Sequence, residues 1–258
     1  MSVLGGGAMP YATGGQDCDR TTTRRAAFFD LDNTLIPGSS LYLLARGLHE
    51  REVCGTQDIL RFAYQQAVFR LARVERSAAL KTSREAALEI VQGRYRPDMQ
   101  AIAEGISDQR ILPRVYPEIA ELIRGHGQVG DLTFIATAAP AELAQILAQR
   151  LGMTGGLGTS AEVDGAQRYS GRLGGSVLHG VAKAEAVAAH AERTGIDLSV
   201  SVAYSDSISD LPLLELVGRA EVVNPDRKLR QVADARGWPV REVRTVRTKN
   251  HPRRPTAA

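Results

Sequence analysis

Two aspartates follow directly on a short apolar run near the start of the chain, and this junction constrains the fold more than any other feature of the sequence. The run from Ala26 to Phe29 has the composition of a buried strand, and Asp30 and Asp32 come immediately after it. Side chains alternate between the two faces of an extended chain, so residues two positions apart point the same way. Asp30 and Asp32 can therefore approach one substrate atom together.

A pair of carboxylates in this position can divide the work of phosphoryl transfer. One can attack phosphorus, while the other protonates the departing oxygen and later takes a proton from water, and both can help to hold a hard divalent cation. The same residues fit equally well a strand that runs out into an acidic turn. Other segments must decide between the two interpretations.

Three further segments of the sequence, taken in chain order, help to choose between these interpretations. Thr137 lies in the apolar run from Phe134 to Pro140, Lys183 lies in an Ala-rich stretch, and the last segment is Tyr-Ser-Asp-Ser-Ile-Ser-Asp from Tyr204 to Asp210. Together with Asp30–Thr34, these segments resemble the haloacid-dehalogenase-like superfamily of phosphohydrolases. The last segment resembles subfamily IB and its phosphoserine phosphatase-like branch. The resemblance covers roughly residues 25 to 245.

The resemblance implies a role for each residue that matches the family pattern. It makes Asp30 the nucleophile, which forms an aspartyl-phosphate, and Asp32 the general acid and base. It also implies Mg²⁺ as the cofactor, held by the Asp30 carboxylate, the Asp32 main-chain carbonyl and Asp206. Magnesium prefers oxygen ligands and keeps several of its waters, so this small set suffices.

The remaining matched residues bind phosphate or support the site. The resemblance implies that Thr137 and Lys183 bind the phosphoryl group, with Asp210 and Thr34 supporting. Taken alone, Thr137 is more typical of a simple helix cap and Lys183 of a solvated helix residue, but the surrounding motifs reverse both interpretations. Asp210 has the alternative of being only a favourable charge in the first turn of a helix.

Alternation of strands and helices predicts an α/β fold, a Rossmann-like and mainly parallel sheet with helices on both faces. The α/β core is expected over residues 25–38 and 111–245. Between them the glycine-poor stretch 39–110 has helical periodicity, for example over Leu60–Val74 and Ser77–Gln92. We predict an inserted all-helical cap there, of about four helices. Residues 1–24 are expected to be a disordered leader and 246–258 a basic disordered tail.

Charge and composition limit the classes of binding partner that the sequence predicts. The chain has 258 residues, 43% of them hydrophobic and 24% charged, and a net charge of +3. The stretch from Arg241 to Ala258 alone carries +5, so the remainder carries −2 and gives no basic face for a nucleic acid. Two isolated cysteines, no signal peptide and no membrane span predict a cytoplasmic protein. We expect a small phosphorylated substrate as the partner, and the sequence leaves the oligomeric state open.

One other motif is similar to a dinucleotide-binding sequence. The stretch from Gly156 to Ala161 matches GxGxxA, but it follows a helix and leads into the turn at Asp164-Gly165. It lacks the strand-turn-helix frame that dinucleotide binding requires, and we interpret it as part of a hairpin over Gly158–Leu173.

The substrate is the least determined property. Relatives that act on phosphoserine resemble one another in carrying a Glu nine positions after the nucleophile, and this chain has Ser39 there. The leading hypothesis is therefore a magnesium-dependent phosphomonoesterase for a small metabolite. Phosphoserine hydrolysis and phosphotransfer to an alcohol by the same intermediate are alternatives. A non-catalytic regulatory or binding protein on the same fold is the alternative from another class.

Overall fold

The computed structural model describes residues 24–55 and 87–244. Six parallel strands form one sheet in the order β3-β2-β1-β6-β7-β8. They are β1 (Ala26–Phe29), β2 (Leu132–Pro140), β3 (Gly155–Thr159), β6 (Val202–Ser205), β7 (Arg219–Val223) and β8 (Val240–Arg241). A separate antiparallel pair consists of β4 (Ala161–Val163) and β5 (Tyr169–Leu173). Strand β1 lies inside this sheet between β2 and β6, and all four of its residues are buried, as predicted for the apolar run before Asp30.

Seven α-helices can be bounded at both ends within the described residues. They are α1 (Ser40–Glu50), α2 (Arg96–Ile106), α3 (Pro117–Gln128), α4 (Ala141–Arg150), α5 (Val181–Thr194), α6 (Leu211–Leu216) and α7 (Arg227–Arg236). Residues 87–91 are also helical. A π-helical turn, Ser107–Ile111, follows α2, and a 3-10 turn, Ile208–Asp210, precedes α6.

Helices cover both faces of the sheet because the central strand is apolar on both. Ala27 and Phe29 belong to a core on one face, which includes Ile119 of α3 and Leu147 of α4. Ala26 and Phe28 belong to the core on the other face, with helices α5, α6 and α7. A parallel sheet needs cover on both sides, and alternating side chains of β1 supply apolar contacts to each. The predicted Rossmann-like α/β fold is thus confirmed.

The strand β3 corrects one expectation from the sequence. Its residues are three glycines, a leucine and a threonine, and we assigned part of this stretch to a hairpin. Glycine disfavours a strand interior, but here it permits close packing against α4. A Cβ placed on Gly156 would lie 2.4 Å from the backbone carbon of Ala144, and one on Gly158 would lie 2.7 Å from the Cα of Ala141. The hairpin itself begins later, at Ala161.

The described part of the stretch predicted as a cap is mostly helical. It contains α1, residues 87–91, α2 and the π-helical turn, while Leu60–Val74 and most of Ser77–Gln92 lie outside the described residues. Tyr169 of β5 packs with Leu48 and Met99 in a small apolar cluster of its own. The boundaries 39–110 remain a prediction. The proposed leader up to residue 23 and the tail 246–258 also lie outside the described residues.

Within 24–55 and 87–244, no helix combines the length and the apolar composition needed to cross a bilayer.

Candidate active site

The sheet topology brings the predicted residues to one edge. Strand β1 pairs in parallel with β2 on one side and β6 on the other. Asp30 follows β1, Asp206 follows β6, and Thr137 lies near the carboxyl end of β2. The carboxyl ends of neighbouring parallel strands meet at the same sheet edge, which is where such folds bind ligands. Residues more than a hundred positions apart in sequence are therefore neighbours here.

A tight loop after β1 sets the two leading aspartates. The backbone N–H of Asp30 donates to the Tyr204 carbonyl at 2.9 Å, which continues the pairing of β1 with β6. Asn33 then adopts a left-handed backbone conformation with φ of 65°, and its side chain accepts a hydrogen bond from the Gly38 N–H. An asparagine tolerates this conformation better than most residues. The loop turns Asp32 toward the start of α1.

Asp32 is held by the helix that opens the predicted cap. Its Oδ1 accepts a hydrogen bond of 2.8 Å from the backbone N–H of Ser40, the first residue of α1. Free N–H groups at a helix start favour a negative charge. Burial nevertheless raises the pKa of Asp32, and the hydrogen bonds from Ser40 oppose that rise. A carboxyl group balanced in this way can exchange a proton during a reaction.

Lys183 lies between two carboxylates in the interior. Its ammonium donates to Asp30 Oδ1 and to Asp210 Oδ2, each at 2.7 Å, and its side chain is only 3% exposed. Burial alone would lower the pKa of Lys183, but the attraction of Asp210 and Asp30 outweighs it, so the pKa lies above its ordinary value. Ser205 also donates to Asp210 Oδ2 at 2.7 Å. The ammonium is thus fixed and charged beside the predicted nucleophile.

At two of the carboxyl groups, Asp30 and Asp206, the effect of burial on the pKa exceeds the opposing effect of Lys183. Burial raises the pKa of Asp30 to about 7, against the opposing effect of Lys183. Burial also raises the pKa of Asp206 to about 8, with repulsion from Asp30 and Asp210 adding to it. Thr34 is the supporting contact, since its hydroxyl donates to Asp206 Oδ1 at 3.5 Å. Among the described residues, four carboxyl groups at this edge therefore lie around the single ammonium of Lys183.

This shortage of positive charge fits a divalent cation. Among the described residues, no three His, Cys, Asp or Glu side chains form a cluster that could hold a metal unaided. The predicted set needs only two carboxylates, Asp30 and Asp206, with the Asp32 carbonyl as a neutral third donor. Hard oxygen donors with room for waters are what Mg²⁺ prefers. The residues present therefore suit the ion, and each is placed at the same sheet edge.

Thr137 is buried in the neighbouring strand β2, close to its carboxyl end. It is 2% exposed, and its hydroxyl accepts a hydrogen bond of 3.1 Å from the Ala139 N–H. The strand runs on to Pro140, so Thr137 does not cap α4 as a lone threonine there would. Its hydroxyl retains a proton to donate to an anion at the sheet edge.

Sequence reasoning missed two residues that hold these groups. Ser205 anchors Asp210, and Ser40 anchors Asp32 through its backbone. Ser205 lies inside the segment from Tyr204 to Asp210, next to Asp206. Its position there could have indicated that it supports the site. Ser207 caps the 3-10 turn Ile208–Asp210, because its side chain accepts from the Ser209 N–H. Asp210 accepts a hydrogen bond from Lys183 and is only 2% exposed. These contacts argue against the alternative that Asp210 is only a favourable charge in the first turn of a helix.

Known proteins are similar to this chain over most of its length. A family model for haloacid dehalogenase-like hydrolases matches residues 27–215. Phosphoserine phosphatase SerB1 of Mycobacterium tuberculosis H37Rv is 44% identical over 223 residues, which are 86% of this chain and 72% of that protein. A crystal structure of a protein of unknown function from Bordetella pertussis Tohama I superposes with a TM-score of 0.74 and 30% identity. It covers 85% of this chain and 98% of its own.

A more distant structure shows the fold alone. The phospho-aspartyl intermediate analogue of phosphoserine phosphatase superposes with a TM-score of 0.57 at 16% identity, over 86% of this chain and 95% of that one.

Proposed function

The chain belongs to the haloacid dehalogenase-like hydrolase family and is a phosphatase of that family, and we propose that it hydrolyses a small phosphorylated metabolite through an aspartyl-phosphate on Asp30. The proposal includes Mg²⁺ as the cofactor. The observation that carries it is the buried Lys183 ammonium, 2.7 Å from both Asp30 and Asp210. A fixed cation beside a carboxylate offsets the repulsion that a phosphate dianion would otherwise meet there.

In the first step, Asp30 attacks phosphorus and the ester bond to the leaving oxygen breaks. Lys183 holds Oδ1 of Asp30, so we assign the attack to the other carboxylate oxygen. Thr137 and Lys183 bind oxygens of the transferring group, and Asp32 gives its proton to the departing alkoxide. Magnesium, when bound, neutralises charge on the phosphoryl group and would be held by the Asp30 carboxylate, the Asp32 carbonyl and Asp206.

In the second step, water attacks the phosphorus of the aspartyl-phosphate. Asp32, left ionised by the first step, takes the proton of that water, and the bond between phosphorus and Asp30 breaks to release inorganic phosphate. A raised pKa suits a group that must be an acid first and a base second. The Ser40 N–H keeps the Asp32 carboxylate in one place for both steps.

The direct test is hydrolysis of p-nitrophenyl phosphate and a panel of phosphorylated metabolites, with Mg²⁺ and with EDTA. We expect Mg²⁺-dependent release of phosphate and a loss of several decades in Asp30→Asn, since the nucleophile is gone. Circular dichroism should show that the variant is folded. Near wild-type turnover by folded Asp30→Asn would reject the mechanism.

A second experiment separates the two roles of Asp32. An alkoxide needs a proton to depart, whereas p-nitrophenolate leaves nearly unaided, so Asp32→Asn should damage alkyl phosphate cleavage far more. Hydrolysis of the intermediate still needs a base. Rapid mixing with p-nitrophenyl phosphate should therefore show a burst of p-nitrophenol followed by slow turnover. Equal losses on both substrates without a burst would leave Asp32 as a metal-site residue only.

Phosphoserine hydrolysis is the second candidate, because a relative at 44% identity is named a phosphoserine phosphatase. Against it stands Ser39, which occupies the position of the expected carboxylate. Its side chain caps α1 by accepting from the Tyr42 N–H at 3.3 Å. A hydroxyl used in this way cannot neutralise a substrate ammonium.

Adding a polyol acceptor and measuring its phosphorylated product distinguishes hydrolysis from phosphotransfer.

A further inference from the structure

An apolar cavity of about 130 Å³ lies between α1, α2 and the carboxyl end of β2. One face of α1 lines it with Leu41, Leu44 and Leu48, which recur at helical spacing. Ala103 of α2 and Ala138 of β2 contribute further walls. Most of the described side chains around the cavity are apolar, and the polar exceptions are Gln100, Glu142, Thr159 and Tyr169. Water gains few hydrogen bonds in such a space, so an apolar group is the favoured occupant.

Two residues that line the cavity are chain neighbours of residues assigned to the reaction. Leu41 directly follows Ser40, whose N–H holds Asp32, and Ala138 directly follows Thr137. Asp32 is assigned to protonate the leaving oxygen and Thr137 to bind the phosphoryl group. The carbon chain attached to that leaving oxygen therefore has the cavity beside it.

Charge in the cavity is already balanced. Glu142 is the one charged side chain among the described residues that line it. That carboxylate accepts a hydrogen bond of 3.2 Å from the Tyr169 hydroxyl and lies 3.4 Å from the Arg96 guanidinium. With Arg96 as its counter-ion, Glu142 has no need of a substrate ammonium. The cavity therefore disfavours a zwitterionic leaving group such as serine.

We propose that the substrate is the phosphate ester of an apolar alcohol, whose hydrocarbon part fills this cavity. The inference rests on the proposed function and adds the class of leaving group to it. A cavity of this size approaches the roughly 150 Å³ that accommodates benzene in an engineered protein core. A benzyl group or a chain of about six carbons is the size that fits.

Primary alkyl phosphates from ethyl to octyl phosphate provide the test. Their leaving alcohols have nearly equal basicity, so chain length changes the contact with the cavity and little else. Burial of each methylene should raise kcat/KM about fourfold, and the rise should stop near six carbons, when the cavity is full. Benzyl phosphate should exceed ethyl phosphate by a factor on the order of a hundred.

A matched pair of variants on α2 locates the effect. Ala103 lines the cavity, whereas Ala101 on the same helix is exposed. Ala103→Leu should lower kcat/KM for hexyl and benzyl phosphate by tenfold or more and leave ethyl phosphate within about twofold. Ala101→Leu should keep the wild-type series. Melting temperatures of both variants show whether either change disturbs the fold.

The outcomes separate this inference from the function it rests on. If no phosphomonoester is hydrolysed, p-nitrophenyl phosphate included, the proposed function fails. If ester hydrolysis is normal but kcat/KM does not change along the alkyl series, only the inference fails. A constant kcat/KM together with a lowered melting temperature in Ala103→Leu would mean that the chain itself fills the cavity. A rising series that Ala103→Leu leaves unchanged would also overturn the assignment to this cavity.

Discussion

Replacing Lys183 with methionine tests whether one buried cation holds the site together. Methionine matches the lysine stem in length and shape but removes the ammonium, so the change isolates the charge. Asp30 is 7% exposed and Asp210 is 2% exposed. Both carboxylates would then be left in the interior beside each other without their shared counter-ion.

The magnitude follows from the two contacts. At 2.7 Å and an effective dielectric constant of about 20, each attraction is about 6 kcal/mol before desolvation is counted. Desolvation of three ions and repulsion between the carboxylates offset most of that sum, and removal of one partner from a buried pair costs about 3–5 kcal/mol in measured cases. We expect the lower part of that range, because a carboxyl group without its cation can take up a proton.

Urea denaturation in EDTA at pH 8 measures this cost, with Lys228→Met as the control. Lys228 is exposed on α7, so its replacement should change the unfolding free energy by less than about 0.5 kcal/mol. Lys183→Met should lose about 3 kcal/mol of stability and, in Mg²⁺, about a thousandfold in kcat/KM. An unchanged denaturation midpoint in Lys183→Met would refute the argument that the ammonium compensates the buried carboxylates.

Three further predictions concern the substrate, the metal and the packing. Because Ser39 replaces the expected carboxylate, kcat/KM for phosphoserine should be at least about tenfold below that of the best substrate in the panel, and a first rank for phosphoserine would contradict this. Asp206→Asn should raise the Mg²⁺ concentration for half-maximal activity by about tenfold or more, with partial rescue at high Mg²⁺; an unchanged Mg²⁺ titration would remove Asp206 from the metal site. Gly218→Ala should lower the unfolding free energy by about 3 kcal/mol, since its Cβ would lie 1.7 Å from the Ser199 carbonyl oxygen, whereas Gly125→Ala in α3 meets no neighbour and should raise it by about 0.5–1 kcal/mol.

The sequence predicted the central sheet well because its strands are marked by composition. The run before Asp30 and the run before Asp206 are apolar and short, and each ends in carboxylates. Parallel strands buried on both faces have this signature. Strand β3 has the opposite signature, since its glycines serve the contact with α4. No propensity reveals such a strand, because the reason for its glycines lies in another element.

The order of strands determines where the predicted site residues lie, whereas the packing of helices determines the contacts that support them. Asp30 and Asp206 directly follow strands and Thr137 lies near the carboxyl end of one, so the order of strands alone brings them to one edge. The Ser40 N–H that holds Asp32 depends on the angle at which α1 leaves the loop, and Glu142 is neutralised by Arg96 from a distant helix. Those angles come from packing between elements. The convergence of these residues on one sheet edge could thus be predicted from the sequence, whereas the cavity that we propose for the leaving group emerges only from the packing of α1 and α2 against the end of β2.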